Sequence, residues 1–342
     1  GLECAMKAML LSEIAPIEER PLDLVDLPMP EPGPGELRVR VLTCGVCRTD
    51  LHVIEGDLPR HTLPIVPGHQ VVGLVDELGP ECEGFAVGDR VGVAWLRRTC
   101  GECRWCVAGS ENLCPDSNYT GYHADGGYAE YALVSAAFTY AIPERFDDLQ
   151  AAPLLCAGII GYRALQRSGV PPGGRIALYG FGSSAHVVLQ LAMHRGCTVD
   201  VVTRGDTHRA LAEEMGASWV GGPGETPPDP ADGAIIFAPA GEIVPAALGA
   251  VRKGGTVACA GIYMTPIPEM DYDTCVFHEK SLLSVEANTR DDGRELLAEA
   301  AEVPVKARVT EFPLEEANEA LIRLKHDGID GSAVLRVSRD VG

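Results

Sequence analysis

The first 150 residues combine short apolar runs with connections that are rich in Pro and Gly. Residues 36–42 alternate polar and apolar side chains, whereas residues 71–79 form a Val-rich run that ends on Gly79. The first pattern is typical of a strand with one solvated face, and the second is typical of a strand buried on both faces. Alternate prolines from Pro28 to Pro34 mark the connection before the first strand. The pattern therefore predicts a compact β-rich domain with long loops.

From residue 150 onward, apolar strands alternate with helical stretches. The predicted strands are residues 175–179, 198–202, 219–220, 233–237 and 255–260. The predicted helices are residues 151–165, 184–194, 206–215 and 243–251. This alternation is typical of βαβ units and predicts a parallel sheet. After residue 289 we predict a helix at 291–302, an edge strand at 305–310, a helix at 315–326 that Pro313 opens, and a final strand at 332–337.

Composition limits the classes of partner. The 342 residues suggest two domains, and 28 Lys and Arg against 49 Asp and Glu give a net charge of −21. That charge repels nucleic acid and anionic lipid. No apolar run approaches the roughly 18 residues of a membrane-spanning helix, and residues 1–7 do not resemble a secretory signal. We expect a cytoplasmic protein that binds neither nucleic acid nor membrane.

Four of the 12 cysteines lie within 15 residues, on the loop at about 97–118. They are Cys100, Cys103, Cys106 and Cys114. Four thiolates in a tetrahedral array hold zinc without an open position, as structural zinc sites do. An iron–sulfur cluster is the alternative, but the ferredoxin run has three residues before its last Cys and this loop has seven. The spacing favours structural zinc in a reducing compartment.

A second set of potential ligands is spread along the chain: Cys47, His69 and Cys156. A Cys, a His and a Cys from distant segments are the kind of donors that hold a catalytic zinc ion, with the fourth position left open. Each has an ordinary alternative, since a lone Cys often packs in a core and a lone His often has a structural role.

Several motifs occur in one order over essentially the whole length. They are residues 45–52 (GVCRTDLH), Gly68-His69, the four-Cys loop, residues 125–131 (DGGYAEY), residues 152–158 (APLLCAG) and a glycine turn at 180–185. With them the chain resembles the zinc-dependent alcohol dehydrogenases of the medium-chain dehydrogenase/reductase family. The resemblance implies a fold of class α/β and β: a GroES-like β-rich catalytic domain at 1–152 and 289–342, and a Rossmann domain with a doubly wound parallel sheet at 153–288.

The resemblance implies roles for the second ligand set and its neighbours. Cys47, His69 and Cys156 correspond to the catalytic zinc ligands, and Asp50 to the carboxylate that orients the ligand His. Cys44 is then a core residue on a strand.

Further roles follow from the same resemblance. Thr49 corresponds to the hydroxyl that contacts the bound alcohol, and His52 to the outer end of a proton relay. Arg48 corresponds to the side chain that pairs with the cofactor pyrophosphate. Trp95 falls where related enzymes line the substrate pocket, although a Trp in the core is the alternative.

Two positions depart from the family pattern. Gln70 stands where the family usually has Glu after the ligand His, so the charge that assists ligand exchange at the metal is missing. Ile160 stands where the family often has a Thr against the nicotinamide, so the hydroxyl contact is missing.

The segment Gly180-Phe181-Gly182-Ser183-Ser184-Ala185 has the spacing G-x-G-x-x-A between a predicted strand and a predicted helix. The first Gly permits a tight turn, the second lets the backbone approach a pyrophosphate, and Ala185 permits close packing of helix on strand. Ser183 and Ser184 lie at the helix N-terminus, where N–H groups face phosphate. The segment predicts a dinucleotide site.

The acidic residue that binds the ribose hydroxyls of NAD is missing after the second predicted strand of this region. Thr203 and Arg204 stand there, and Arg209 begins the next helix. A hydroxyl and guanidinium groups suit a 2′-phosphate, although Asp206 is close enough to weaken the site. We therefore predict a preference for NADP(H) over NAD(H), with a solvated Arg204 as the alternative.

The predicted function is the reversible oxidation of a small-molecule alcohol to an aldehyde or ketone, by a homodimer or homotetramer with two zinc ions per chain. An NADPH-dependent aldehyde reductase is the nearest alternative. A zinc-free quinone or enoyl reductase is disfavoured by the three catalytic ligands. A zinc-stabilised binding protein without catalysis is disfavoured by the net charge and by the second ligand set.

Overall fold

The computed structural model describes residues 5–59, 61–303 and 305–339. The chain divides into two compact units. The first comprises Gly1–Cys156, Thr289–Ala301 and Arg308–Gly342, and the second comprises Ala157–Asn288 and Glu302–Ala307. No helix among the described residues is both long and apolar enough to cross a membrane.

The helices and strands have the following bounds in the described residues. The strands are β1 (Ala5–Leu11), β2 (Leu22–Pro28), β3 (Glu36–Val46), β4 (Gln70–Leu78), β5 (Arg90–Val93), β6 (Leu96–Arg98), β7 (Asn118–Tyr119), β8 (Tyr131–Ser135), β9 (Thr139–Ala141), β10 (Arg175–Tyr179), β11 (Thr198–Val202), β12 (Trp219–Gly221), β13 (Ala231–Ile236), β14 (Val251–Cys259), β15 (Ser281–Ser284), β16 (Val309–Pro313) and β17 (Ser332–Arg336). The helices are α1 (Arg48–Glu55), α2 (Arg104–Val107), α3 (Asp148–Pro153), α4 (Ile159–Arg167), α5 (Ser183–His194), α6 (Asp206–Glu214), α7 (Ile243–Ala250), α8 (Arg290–Glu302) and α9 (Ala317–Lys325).

A seven-stranded sheet forms the centre of the first unit. Its order is β16-β17-β3-β4-β5-β9, and β8 pairs with β3 as well. The alternation at the start of β3 places Leu37, Val39 and Val41 in the core, against Val71 and Val75 of β4. This core holds β3 and β4 in antiparallel pairing, with the start of β4 opposite the end of β3.

The second unit contains a six-stranded sheet with the order β12-β11-β10-β13-β14-β15, all pairs parallel. Numbered along the chain from β10, this is the order 3-2-1-4-5-6 of dinucleotide-binding folds. Residues 176–179 of β10 are buried, as expected for a central parallel strand. The prediction of a β-rich domain plus a Rossmann domain is confirmed.

Three local predictions differ from the structure. The predicted helix at 151–165 is divided into α3, a π-helical turn over Leu154–Gly158, and α4. The predicted edge strand at 305–310 lies later, at β16. Val305 and Ala307 are buried, so the alternation of apolar and polar side chains here reflects burial and not pairing in a sheet. Strands β1, β2, β5 to β9 and β15 were not predicted individually, although β1 and β2 are seven residues long.

Candidate functional site

Cys47, His69 and Cys156 come together in the first unit. Cys47 immediately precedes α1, His69 immediately precedes β4, and Cys156 lies in the π-helical turn after α3. Their potential ligand atoms all lie within 4.8 Å of one another, and Cys47 Sγ is 3.3 Å from His69 Nε2. Two thiol sulfurs and one imidazole nitrogen at this spacing fit a zinc ion with one coordination position left for a substrate.

The carboxylate of Asp50 organises this group. Oδ1 accepts a hydrogen bond from His69 Nδ1 at 3.1 Å, and Oδ2 accepts one from the backbone N–H of Cys47 at 3.0 Å. Both side chains of the Asp50–His69 pair are almost completely buried. This contact fixes the imidazole with Nε2 toward Cys47, which is the arrangement that a metal ligand requires.

The electrostatics of this group favour a cation. Burial lowers the pKa of His69, but the charges of Cys47 and Asp50 outweigh burial and raise that pKa to about 10. The hydrogen bond with Cys156, together with burial, raises the pKa of the Cys47 thiol well above its usual value. In the absence of a metal the group therefore retains protons, which a divalent ion has to displace.

The predicted relay residues lie on α1. Thr49 and His52 are three residues apart on this helix, so their side chains share one face. Thr49 is half-buried, and His52 Nδ1 lies 2.9 Å from Asp57 Oδ2. The predicted pyrophosphate ligand Arg48 pairs with Asp327 at 2.8 Å within the same unit.

Four further residues of the sequence analysis have clear surroundings. Cys44 is fully buried in the core of β3, and neither group of potential metal ligands found in the described residues includes it. Gln70 is buried with its side chain over the backbone of Gly45, so a neutral amide follows His69. Trp95 is 7% exposed and presents an edge contact to His69, with ring centroids 5.0 Å apart. Ile160 is half-buried on α4, in the second unit.

The four-Cys loop forms a second potential metal site in the first unit. The sulfur atoms of Cys100, Cys103, Cys106 and Cys114 all lie within 4.8 Å of one another. Backbone N–H groups point at these sulfurs: Cys103 N–H lies 3.3 Å from Cys100 Sγ, and Cys106 N–H lies 3.5 Å from Cys103 Sγ. Such hydrogen bonds from Glu102 and Cys103 lower the pKa of Cys100 to about 7, whereas burial raises that of Cys114 to about 11. This all-sulfur donor set fits zinc with no position left for substrate.

The glycine turn joins β10 to α5 in the second unit. Gly180 has a φ of +92°, which a residue with a Cβ rarely adopts. A Cβ on Gly182 would meet no atom within 4 Å, so open space lies beside the backbone at this position. Ser183 and Ser184 begin α5, and Ala185 is fully buried. The turn thus fits a pyrophosphate at the N-terminus of α5.

The residues predicted to select the cofactor follow β11. Thr203 is 4% exposed, and its N–H donates to Gly221 O. Arg204 is exposed. Asp206 pairs with Arg209 at 2.6 Å. This carboxylate therefore offsets the positive charge of Arg209, the second side chain predicted to favour a 2′-phosphate.

Sequence reasoning assigned no role to two residues that contact the site. Tyr128 donates a hydrogen bond to Asp50 Oδ2 at 3.1 Å, and Asp57 contacts His52. The motif at 125–131 contained Tyr128, but only the folded chain brings it to Asp50, which is 78 residues away in sequence.

Comparisons with known proteins agree with this geometry. Residues 33–144 match the model of the alcohol dehydrogenase GroES-like domain, and residues 185–302 match that of zinc-binding dehydrogenases. The chain is 48% identical to a probable alcohol dehydrogenase, AdhA, of Mycobacterium tuberculosis, over 97% of each chain. It is 36% identical to an alcohol dehydrogenase of Geobacillus stearothermophilus, over 97% of this chain and 100% of the relative. A solved alcohol dehydrogenase from Pyrobaculum aerophilum, with cobalt and zinc bound, is 26% identical with a TM-score of 0.88, over 98% of this chain and 100% of that chain.

Proposed function

The chain belongs to the zinc-type medium-chain alcohol dehydrogenases, and from that premise we propose that Cys47, His69 and Cys156 hold a catalytic zinc ion. The family oxidises alcohols with a nicotinamide cofactor. The observation that carries the proposal is the convergence of these three ligand atoms within 4.8 Å beside the buried Asp50. The substrate is then a small-molecule alcohol, or the aldehyde or ketone in the reverse direction.

The residues around this group have separable tasks. When bound, zinc supplies a Lewis acid that polarises the substrate oxygen. Asp50 holds Nδ1 of His69, so Nε2 keeps its position as a ligand. Thr49 accepts the proton of the substrate hydroxyl while its own hydroxyl proton passes on toward His52, which delivers a proton to solvent, with Asp57 holding the His52 ring at Nδ1.

Removal of metal tests this function. Treatment with a chelator should abolish turnover of a panel of alcohols and aldehydes, and added zinc should restore it. Because the pKa of Cys47 is raised well above its usual value, this thiol holds a proton at pH 6–8 without metal. Zinc affinity should therefore fall as the pH falls, by about tenfold per pH unit for each proton displaced. Undiminished turnover in metal-free protein would exclude the proposal.

The four-Cys loop holds the second zinc ion of the chain in this proposal. Its four sulfurs leave no position for substrate, so this ion serves the structure of the loop. Arg290 anchors the loop through an ion pair of 2.6 Å with Glu111.

We also propose that the chain self-associates through the exposed edge of its parallel sheet. Strand β15 ends the sheet, and unpaired strand edges invite pairing with another chain. Large exposed apolar side chains accumulate in the same stretch of sequence: Ile262, Tyr263, Ile267, Tyr272, Val276, Phe277 and Leu282. An apolar surface of this kind is typical of a protein–protein contact, and we propose a second copy as its partner.

The cofactor preference is proposed to be NADP(H). Arg204 offers a guanidinium fork and Thr203 a hydroxyl at the carboxyl end of β11, where an acid would repel a 2′-phosphate. One charge-assisted contact corresponds to about tenfold to a hundredfold in affinity. The kcat/KM for NADP(H) should therefore exceed that for NAD(H) by about this factor.

The double variant Thr203→Asp with Arg204→Ile should reverse this ratio. Arg252→Ile is the control for the Arg204→Ile component, because it removes the same single positive charge near the amino end of β14, away from the carboxyl ends of the strands. A native enzyme that already favours NAD(H) would show that Arg204 does not determine the cofactor preference.

A further inference from the structure

The segment of residues 125–130, with the sequence Asp-Gly-Gly-Tyr-Ala-Glu, lies along the chain that leads into the ligand His69. Asp125 Oδ1 accepts a hydrogen bond from the N–H of Val66 at 2.9 Å. The N–H groups of Gly126 and Tyr128 donate to the carbonyls of Val66 and Pro67, at 2.7 and 3.0 Å. The N–H of Gly127 donates to Gly68 O at 2.9 Å, so the contacts continue to the residue before His69.

Glycines make this close approach possible. A Cβ on Gly126 would overlap the carbonyl oxygen of Gly68, and a Cβ on Gly127 would overlap the side chain of Val71. Gly68 has a φ of +101°, and a Cβ there would overlap the ring of Tyr128. The Tyr128 ring therefore packs directly on the backbone that carries His69.

The hydroxyl of Tyr128 reaches the carboxylate behind that ligand. It donates to Asp50 Oδ2 at 3.1 Å, the oxygen that also accepts the Cys47 N–H. Tyr128 is 0% exposed and Asp50 is 1% exposed, so water does not compete readily for this contact. Asp50 thus joins three groups in one buried network: the backbone of one ligand, the imidazole of another, and the phenol.

We propose that Tyr128 is a positioning residue of the catalytic metal site, which acts through Asp50. Its ring fixes the backbone before His69, and its hydroxyl fixes the carboxylate that orients the His69 imidazole. This inference rests on the proposed function, since it concerns the affinity of the Cys47–His69–Cys156 group for a divalent metal. Loss of an outer hydrogen bond at a metal site costs about 10- to 100-fold in metal affinity.

The test compares Tyr128→Phe with the native protein by chelator competition for zinc and by the visible spectrum of the cobalt-loaded protein. We expect about 10- to 100-fold weaker binding at one of two metal sites, with the four-Cys site unchanged, and an altered cobalt–thiolate spectrum. Tyr131→Phe is the matched control, because it removes a hydroxyl from the Tyr that directly follows the segment and is half-buried on β8. Unchanged zinc affinity and spectrum in Tyr128→Phe would overturn the inference.

A double-variant cycle separates action through Asp50 from a general loss of packing. In Asp50→Asn the acceptor charge is gone, so adding Tyr128→Phe should weaken zinc binding by less than it does in the native background. Equal effects in both backgrounds would show that Tyr128 does not act through Asp50. Native protein that binds no metal at the Cys47 group would end both the proposed function and this inference. Native binding with an unaffected Tyr128→Phe variant would end the inference alone.

Discussion

Cys47→Ala is expected to abolish turnover while leaving a folded protein with about one zinc ion per chain in place of two. The change removes one of three ligand atoms that lie within 4.8 Å of one another. Two remaining ligands do not hold a catalytic zinc ion against solvent, and the Lewis acid is lost with it. The loss of activity should exceed the roughly 10- to 100-fold that follows from removing an outer-shell contact. The four-Cys loop does not share this ligand and should keep its metal.

Elemental analysis measures the zinc content, and steady-state kinetics on the same preparation measure the turnover. Cys44→Ala is the matched control, since Cys44 lies three residues earlier and is fully buried in the core. The control should retain two zinc ions and most of the turnover, because it removes only a small apolar group. Full turnover in Cys47→Ala, or two zinc ions in that variant, would remove Cys47 from the metal site.

The regular elements of the second unit could be predicted because they obey local patterns. Residues 175–179 and 198–202 are short, largely apolar segments between turn residues, and they are β10 and β11 with those bounds. A parallel sheet buries its central strands on both faces, so its strands are visible as continuous apolar runs. The strand order follows from the βαβ connections and not from any single residue.

The π-helical turn shows where local patterns fail. Residues 151–165 have the composition of one helix, yet Leu154–Gly158 departs from the α-helical hydrogen-bond pattern. This turn carries Cys156, whose ligand atom lies within 4.8 Å of those of Cys47 and His69. Single π-helical turns inside helices are frequent at functional sites. Apolar periodicity in residues 151–165 does not reveal the turn, although Pro153, which has no N–H to donate, stands directly before it.

The contrast between what motifs indicate and what only the folded chain brings together also applies within the site. The potential metal ligands could be inferred from motifs, but the contacts that support them could not. Asp50 meets Tyr128 from 78 residues away, and Arg48 meets Asp327 from 279 residues away. A local contact such as Asp206–Arg209 was within reach of sequence reasoning. On a helix the (i, i+3) spacing brings Asp206 to Arg209, because residues three apart share a face.

Cys103→Ala is expected to act mainly on stability. The four sulfurs close the loop from residue 100 to residue 114, and a cross-link that closes a loop of about 15 residues is worth roughly 3 kcal/mol. For a domain of this size that corresponds to a decrease in Tm of about 6–12 °C. The catalytic ligands are a separate group, so the folded variant should retain one zinc ion and measurable turnover at low temperature.

The decrease in Tm should itself depend on pH. The pKa of Cys100 is about 7 and that of Cys114 is about 11, so metal binding releases protons and weakens on acidification. The Tm of the native protein should therefore approach that of Cys103→Ala as the pH falls from 8 to 6. Cys82→Ala is the control, because Cys82 is a half-buried thiol of the same unit that belongs to neither group of ligands. A Cys103→Ala variant with native Tm and two zinc ions would show that the loop is held by its hydrogen bonds and packing without metal. Complete loss of turnover at unchanged Tm would instead make the loop part of the catalytic machinery.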